Sequence, residues 1–234
     1  LDLSQYAAIG LQEVKLKTDD GLELAAWFMK PDPAGDGGTF LLFHGNAGHI
    51  GHRVEKFRRI LAAGYGFLFL EYRGYGGNPG KPSEVGLHID ARAALDFLAS
   101  REIPHEKVIL YGESLGCGIA VRAASEHHFS AVILEAPYTS IADVAQRQFW
   151  FLPVRWLVRD RYDTLAIINR ITSPVVVIHG EQDDIIHVSF GQRVYDAAPD
   201  PKTAWFFEGA GHNNLKEFGF DTRLLDYLQK NRSR

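Results

Sequence analysis

The chain has 234 residues, of which 46% are hydrophobic and 23% are charged, and its formal net charge is −4. This length and composition are ordinary for one large α/β domain. A single cysteine, Cys117, excludes an intramolecular disulfide. No Lys/Arg run and no apolar stretch of membrane-spanning length occur, so we expect no nucleic-acid partner and no membrane segment in this chain.

The first residues do not read as a targeting signal. Leu1 to Asp20 has neither the basic start nor the apolar core of a signal peptide. The chain begins at Leu1 and not at Met, which leaves open whether a leader or an anchor preceded it. The sequence by itself therefore assigns neither a localisation nor an oligomeric state.

Alternating apolar and polar residues at 11–17 and 22–29, around a turn at 18–21, predict an antiparallel hairpin. A Pro/Gly-rich loop at 31–38 follows. Beyond it, continuous apolar runs predict strands that are buried on both faces, and these alternate with helical patterns. The predicted strands are 39–43, 67–70, 107–111, 131–134, 175–178 and 205–207, and the predicted helices are 50–64, 83–100, 117–124, 188–197 and 215–229.

A hairpin followed by alternating strands and helices predicts a mostly parallel sheet with helices on both faces. In such sheets ligands bind beyond the carboxyl ends of the strands. The candidate residues below each follow a predicted strand, so we expect them to share one edge of the sheet. We expect a single domain over 1–234, in which residues 138–172 interrupt the alternation as a short cap insertion.

The central motif is Gly-x-Ser-x-Gly, with Ser114 between Gly112 and Gly116. An apolar strand precedes it and a helix of small residues follows, which is the context of a nucleophile elbow. The two glycines allow strand and helix to cross closely, and the tight turn strains the serine backbone. Because an idle Gly-rich turn can match the same motif, the other parts of the site decide its meaning.

The loop after the first buried strand, residues 44–48, is the candidate oxyanion loop. In a site of this kind it supplies one oxyanion N–H, and the residue after the nucleophile supplies the other. We therefore predict that the backbone amides of Asn46 and Leu115 bind the oxyanion. The alternative is a Gly-rich turn that only connects two elements. His44 is expected to hold the loop in place.

The general base and its orienting acid are expected after the last two strands. Asp183 and its neighbour Asp184 follow the fifth buried strand, and His212 follows the sixth. Only His187 and His212, of ten histidines, come after these aspartates, and His187 opens a helix. The order Ser114, Asp183, His212 fits a Ser/acid/His arrangement, with Asp184 as the rival acid.

Metal and nucleotide sites are not indicated. His44, His49 and His52 lie close together, but the chain has no His-Glu-x-x-His motif and no cysteine pair. The loop at 74–80 has neither the dinucleotide nor the P-loop spacing. We expect no cofactor and no metal.

Several short segments together resemble a known family. They are His44-Gly45-Asn46-Ala47-Gly48, Gly51-His52-Arg53, Tyr72-Arg73-Gly74-Tyr75-Gly76, Gly80-Lys81-Pro82-Ser83-Glu84, Gly112-Glu113-Ser114-Leu115-Gly116, His179-Gly180-x-x-Asp183 and Gly211-His212-Asn213. The chain resembles the α/β-hydrolase superfamily, and within it the bud-emergence-type serine hydrolases, a branch that includes abhydrolase-domain depalmitoylases. The resemblance implies the α/β-hydrolase fold, the triad of Ser114, Asp183 and His212, and ester or thioester substrates. Many members carry an N-terminal membrane segment, which this chain does not show.

The sequence thus predicts a serine carboxylesterase whose partner is a small acyl ester. The alternatives are an acyl-thioesterase and a non-catalytic module that keeps only the hydrolase fold. Within the cap, Phe149, Trp150 and Trp156 are predicted to border the acyl pocket. Since the insertion is short, we expect a compact pocket for acyl chains of roughly four to eight carbons.

Overall fold

The computed structural model describes Leu3, Tyr6, residues 9–33 and residues 37–231. Within these ranges eight strands form one sheet in the order β1-β2-β4-β3-β5-β6-β7-β8. Strand β2 pairs antiparallel with both of its neighbours, and the pairs from β4 to β8 are parallel. The strands are β1 (Gln12–Lys17), β2 (Glu23–Met29), β3 (Thr39–Phe43), β4 (Gly66–Leu70), β5 (Val108–Glu113), β6 (Ala131–Glu135), β7 (Val175–Gly180) and β8 (Lys202–Phe207).

Helices cover both faces of the sheet because the central strands are apolar on both sides. In β3, Leu41 and Phe43 pack in one cluster with the helices over 84–100, 115–124 and 188–197, whereas Phe40 and Leu42 pack in another with the helices over 50–56, 58–62 and 220–230. No helix in the described ranges is both long and apolar enough to cross a bilayer. The helices are α1 (Ile50–Lys56), α2 (Arg58–Ala62), α3 (Glu84–Ser100), α4 (Leu115–Ala124), α5 (Ile141–Gln148), α6 (Thr164–Ile167), α7 (Val188–Ala197) and α8 (Phe220–Lys230).

The mostly parallel sheet with its N-terminal hairpin is the predicted fold, and the three largest differences from the predicted elements are as follows. The helix predicted over 50–64 is interrupted at Phe57, whose fully buried ring packs against Phe67 and Tyr111. The helix predicted over 215–229 is interrupted at Gly219, where a φ of 73° separates a short 3-10 turn from α8. Strand β8 begins at Lys202, three residues before the predicted start.

Two predicted stretches are only partly described. Of residues 1–20, the structure describes Leu3, Tyr6 and 9–20, and of the predicted loop at 31–38 it describes 31–33 and 37–38. The remaining residues of both stretches lie outside the described ranges.

The parallel direction of the strands decides where the candidate residues lie. Ser114, Asp183 and His212 follow the carboxyl ends of β5, β7 and β8, and those ends meet at one edge of the sheet. The predicted cap region at 138–172 lies between β6 and β7, and it contains α5, a 3-10 turn (Val154–Trp156) and α6. The segment therefore leaves the sheet at the edge that carries the candidate site.

Candidate active site

Ser114 occupies a strained turn between β5 and α4. Its φ of 52° and ψ of −115° are angles that residues with a side chain rarely adopt. The N–H of Ser114 donates to the carbonyl oxygen of Glu135 at 2.9 Å, and this hydrogen bond fixes the turn. A Cβ on Gly116 would collide with the carbonyl oxygen of Phe43, so only glycine lets the helix approach β3 this closely. This geometry places the Ser114 side chain at the amino end of α4.

The aspartate that pairs with His212 is Asp183. Its Oδ2 lies 2.7 Å from Nδ1 of His212. Its Oδ1 accepts from the backbone N–H groups of Ile185 and Ile186 at 2.9 and 2.7 Å. Asp183 is buried, whereas Asp184 is exposed to solvent. The structure therefore brings Asp183, and not its neighbour, against the histidine.

The pair shifts the pKa of both partners toward the charged forms. Burial raises the pKa of Asp183, but hydrogen bonds from His179 and His212 outweigh burial and hold the pKa well below the usual aspartate range. Burial lowers the pKa of His212, but the hydrogen bond and charge of Asp183 outweigh it, with smaller contributions from Glu135 and Glu113, so the pKa lies above the ordinary histidine value. A neutral His212 that donates from Nδ1 to Asp183 keeps Nε2 free to accept a proton.

A second histidine, to which the sequence analysis gave no role, lies beside the acid. His179 is fully buried, and its Nε2 lies 2.7 Å from the carbonyl oxygen of Ile186 and 3.3 Å from Oδ2 of Asp183. A Cβ on Gly191 would run into Nδ1 of this ring. With its proton on Nε2, His179 donates to the carbonyl oxygen of Ile186 and also directs this N–H toward Oδ2 of Asp183. The signal in the sequence was the His179-Gly180-x-x-Asp183 spacing.

The two predicted oxyanion donors are free of protein partners. Within the described residues neither the N–H of Asn46 nor that of Leu115 donates to another protein group. The first N–H groups of a helix have no partner inside it, which accounts for Leu115. The Asn46 side chain is fixed separately, because its Oδ1 accepts from the hydroxyl of Tyr75 at 2.6 Å. Both amides are therefore available to a ligand.

His44 contacts the same loop, residues 44–48, from the protein interior. Its ring is buried, with Nδ1 2.7 Å from the carbonyl oxygen of Gly45 and Nε2 3.3 Å from Oε1 of Glu71. The other carboxylate oxygen of Glu71 accepts from the N–H of Ile50 at 3.1 Å. Tyr72 donates to the backbone carbonyl of His44 at 3.1 Å. These contacts agree with the expectation that His44 holds the loop in place.

A buried ionic cluster, which the sequence analysis did not find, joins α1 to the ends of β5 and β6. Nζ of Lys56 lies 2.9 Å from Glu113 and 2.7 Å from Glu135. Arg53 bonds the other oxygen of Glu113 at 2.7 Å, and the hydroxyl of Tyr111 donates to Glu135. The charges of two cations and two carboxylates thus offset each other next to the turn that carries Ser114. No local pattern revealed the cluster, because its members are far apart in the chain.

The predicted pocket residues of the cap point largely to solvent. Phe149, Trp150 and Trp156 are 45%, 79% and 88% exposed. Such exposure argues against Trp150 and Trp156 as walls of an acyl pocket, since a wall side chain is covered by its neighbours. For Phe149 the role stays a prediction.

The histidines near residue 50 contact each other and the start of α1. The described residues contain no group of three or more His, Cys, Asp or Glu side chains placed to hold an ion. The rings of His49 and His52 instead pack on each other, with centroids 3.9 Å apart. Nδ1 of His49 accepts from the N–H of Gly51, so His49 caps the amino end of α1.

Comparison with known proteins identifies the family. The profile of the serine aminopeptidase (S33) family matches residues 36–167, which is more than half of the chain. An uncharacterized protein of Mycobacterium tuberculosis is 37% identical over 216 residues, covering 92% of this chain and 74% of that protein. The human α/β hydrolase domain-containing protein 17B is 33% identical over 222 residues, again 92% of this chain and 74% of the relative. The chain belongs to this family of α/β hydrolases.

The hydrolase also shares its fold with solved structures. An esterase of Pyrococcus furiosus superposes with a TM-score of 0.75 at 21% identity, covering 96% of this chain and 94% of that one. The family that the sequence motifs indicated and the α/β-hydrolase fold are therefore confirmed. The family profile includes the Ser114 elbow but ends before Asp183 and His212.

Proposed function

We propose that this hydrolase is a serine carboxylesterase that cleaves small acyl esters through an acyl-enzyme. The observation that carries the proposal is the 2.7 Å bond between His212 and Asp183, at the sheet edge where the Ser114 elbow also lies. A base oriented by a buried acid, a serine on a strained turn and two free N–H groups are the parts that acyl transfer requires.

In the proposed mechanism, the Ser114 hydroxyl attacks the acyl carbonyl while Nε2 of His212 takes its proton. The charge that develops on the carbonyl oxygen is bound by the N–H groups of Asn46 and Leu115, and each such donor is typically worth about 10²–10³ in rate. His212 then gives the proton to the departing alcohol. Water, activated by the same histidine, hydrolyses the acyl-enzyme and regenerates Ser114.

Asp183 keeps His212 in the tautomer that this sequence of proton transfers needs. Its carboxylate stabilises the imidazolium that forms in each half-reaction, which agrees with the raised pKa of His212. Support for an ester substrate also comes from the esterase of Pyrococcus furiosus, whose fold this chain shares. The acyl pocket is proposed to be compact, with Phe149 at its border.

A fluorophosphonate probe tests for an activated serine directly. We expect the wild-type protein to be labelled and the Ser114→Ala variant not to be. The matched control is Ser125→Ala, because Ser125 lies at the far end of α4 and its hydroxyl is bonded to the Arg122 carbonyl. An unlabelled wild-type protein would show a non-catalytic module and would contradict the proposal.

The bond that is cleaved is tested with one acyl group on three leaving groups. We expect the butyryl ester to give a higher kcat/KM than the matched thioester or the matched amide. A higher value for the thioester would assign the protein to the thioesterases, and a higher value for the amide would assign it to the amidases and peptidases. Either result keeps the triad and rejects the carboxylesterase.

A further inference from the structure

The cap carries an exposed apolar surface, here called the aromatic surface, formed by six side chains between residues 149 and 157. The described part of the chain has ten strongly exposed large apolar side chains, and six of them lie on this short stretch. The two tryptophans are 79% and 88% exposed. The members are Phe149, Trp150, Phe151, Leu152, Trp156 and Leu157. Water-facing apolar side chains in one group mark an interaction surface.

The aromatic surface rests on a structured support. The side-chain amide of Gln146 donates to the carbonyl of Leu152 at 2.8 Å and accepts from the N–H of Arg155 at 3.3 Å. Arg155 in turn pairs with Asp143 at 3.3 Å. The loop is thereby folded back onto α5. Its apolar side chains are held outward by a hydrogen-bonded frame.

The charge around the aromatic surface is positive, although the whole chain carries a net charge of −4. Residues 144–159 contain Arg147, Arg155 and Arg159 and no acidic residue. All three arginines are exposed, and in the described ranges neither Arg147 nor Arg159 forms an ion pair. Of the nearest acids along the chain, Asp143 pairs with Arg155 and offsets its charge, and Asp160 accepts from the N–H of Glu84. The unpaired cations beside the aromatic surface are therefore Arg147 and Arg159.

We propose that the aromatic surface and its arginines form an interfacial membrane-binding element that docks on an anionic lipid bilayer. Tryptophan rings sit favourably at the level of lipid headgroups, and apolar neighbours reach the start of the acyl chains. The unpaired arginines match the negative surface of such a bilayer. A second copy of the chain fits this surface less well, since a two-fold contact would place like charges opposite each other.

The position of the element connects membrane docking to the candidate site. The cap leaves the sheet at the carboxyl end of β6, the edge where Ser114 lies. At its root the hydroxyl of Tyr138 donates to the carbonyl of Leu115 at 3.0 Å. Docking therefore brings the bilayer to the side of the molecule on which amphiphilic acyl substrates would enter.

Tryptophan fluorescence tests the docking without reference to activity. The chain has four tryptophans, and Trp27 and Trp205 are buried at 2% and 5% exposure, so a change in emission reports Trp150 and Trp156. With vesicles of phosphatidylcholine containing about one third phosphatidylserine, we expect a blue shift and co-sedimentation of the protein. With phosphatidylcholine alone, both signals are expected to be much weaker.

Three variants separate the apolar and the charged contributions to vesicle binding. The Trp150→Ala/Trp156→Ala variant is expected to bind the anionic vesicles at least ~10-fold more weakly, because each ring would bury on the order of 100 Å². Arg147→Gln and Arg159→Gln should each weaken binding about five-fold. The controls are Ile9→Ala, at another exposed apolar site, and Arg193→Gln on α7, which should bind as wild type.

Binding that is unchanged in the tryptophan variant overturns the proposal, as does equal binding to vesicles with and without phosphatidylserine. Sedimentation velocity without lipid tests whether a second copy of the chain binds the aromatic surface instead of a bilayer. A wild-type dimer that the tryptophan variant loses would assign the aromatic surface to a second copy and reject the bilayer. The urea midpoint of each variant is expected to equal that of wild type, since the altered side chains are exposed.

Discussion

At the scale of single residues, the candidate site depends on how three side chains are fixed. Ser114 is held by a strained turn, and Asp183 by two backbone N–H groups in addition to the histidines. Fixed groups accelerate acyl transfer because they need no reorganisation in the transition state. The contributions of these residues are therefore expected to be unequal and measurable one at a time.

Removal of the nucleophile or the base should abolish nearly all hydrolysis. We expect Ser114→Ala and His212→Ala to lower kcat by about 10⁶, and Asp183→Ala by about 10⁴, the losses found in another serine hydrolase. Asp184→Ala serves as the matched control and should keep wild-type activity, because Asp184 is exposed. The assignment of the acid fails if Asp184→Ala is the more damaging of the two aspartate changes.

The pH dependence of kcat/KM should follow His212. Protonated His212 cannot accept the serine proton, so activity is lost as the pH falls through its pKa, which lies above the ordinary value of about 6.5. In Asp183→Asn the carboxylate that raises this pKa is gone, so the acidic limb should move to lower pH while the maximal rate drops by about 10⁴. An acidic limb at the same pH in Asp183→Asn as in wild type would show that a group other than His212 titrates.

At the scale of elements, the ionic cluster binds α1 to the ends of β5 and β6. The Lys56 side chain is 19% exposed and that of Glu135 is 3% exposed. Burial of charge is costly unless every partner is present, so such a cluster stabilises the protein only as a complete set. Because Arg53 also donates to the carbonyl of His49, the cluster reaches the residue that directly follows the candidate oxyanion loop at 44–48.

Removal of the central cation should be strongly destabilising. We expect Lys56→Met to lower the free energy of unfolding by about 3–5 kcal/mol, since the buried Glu135 loses the cation that pairs with it and Glu113 keeps only Arg53. Lys15→Met, at a pair whose side chains are 64% and 48% exposed, should cost at most about 1 kcal/mol. Urea denaturation measures both. Similar losses in the two variants would show that the cluster does not behave as a buried unit.

A double variant shows whether the carboxylate is the cause. Lys56→Met/Glu135→Gln removes a charge of each sign, so it should recover part of the stability that Lys56→Met loses. If Glu135→Gln lowers the free energy of unfolding of Lys56→Met as much as it lowers that of the wild-type protein, packing and not charge explains the loss.

At the scale of the whole molecule, the short cap between β6 and β7 is expected to limit substrate size. On p-nitrophenyl esters of increasing chain length, kcat/KM should rise by about four-fold for each buried CH₂ and then level off at roughly four to eight carbons. Phe149→Ala should change this profile more than Trp156→Ala, because the two side chains are 45% and 88% exposed. A preference for palmitate would contradict a compact pocket.

The sequence by itself determined the order of strands and helices outside the cap, the Gly-x-Ser-x-Gly motif at Ser114 and the position of His212 after the last strand. These features are local, because apolar periodicity, turn glycines and chain order are written in neighbouring residues. The helix predicted over 83–100 is a further local success, since α3 spans Glu84–Ser100 and the Ser83 side chain caps it by accepting from the N–H of Gly86 at 3.1 Å.

The tertiary structure decided what depends on contacts between distant segments. Asp183 and Asp184 are adjacent and chemically identical, and only packing shows which one is buried against His212. Lys56 and Glu135 meet although they are 79 positions apart. Phe149, Trp150 and Trp156 of the cap were predicted to border the acyl pocket, yet the two tryptophan rings face solvent, because burial depends on whether another segment of the chain folds over them.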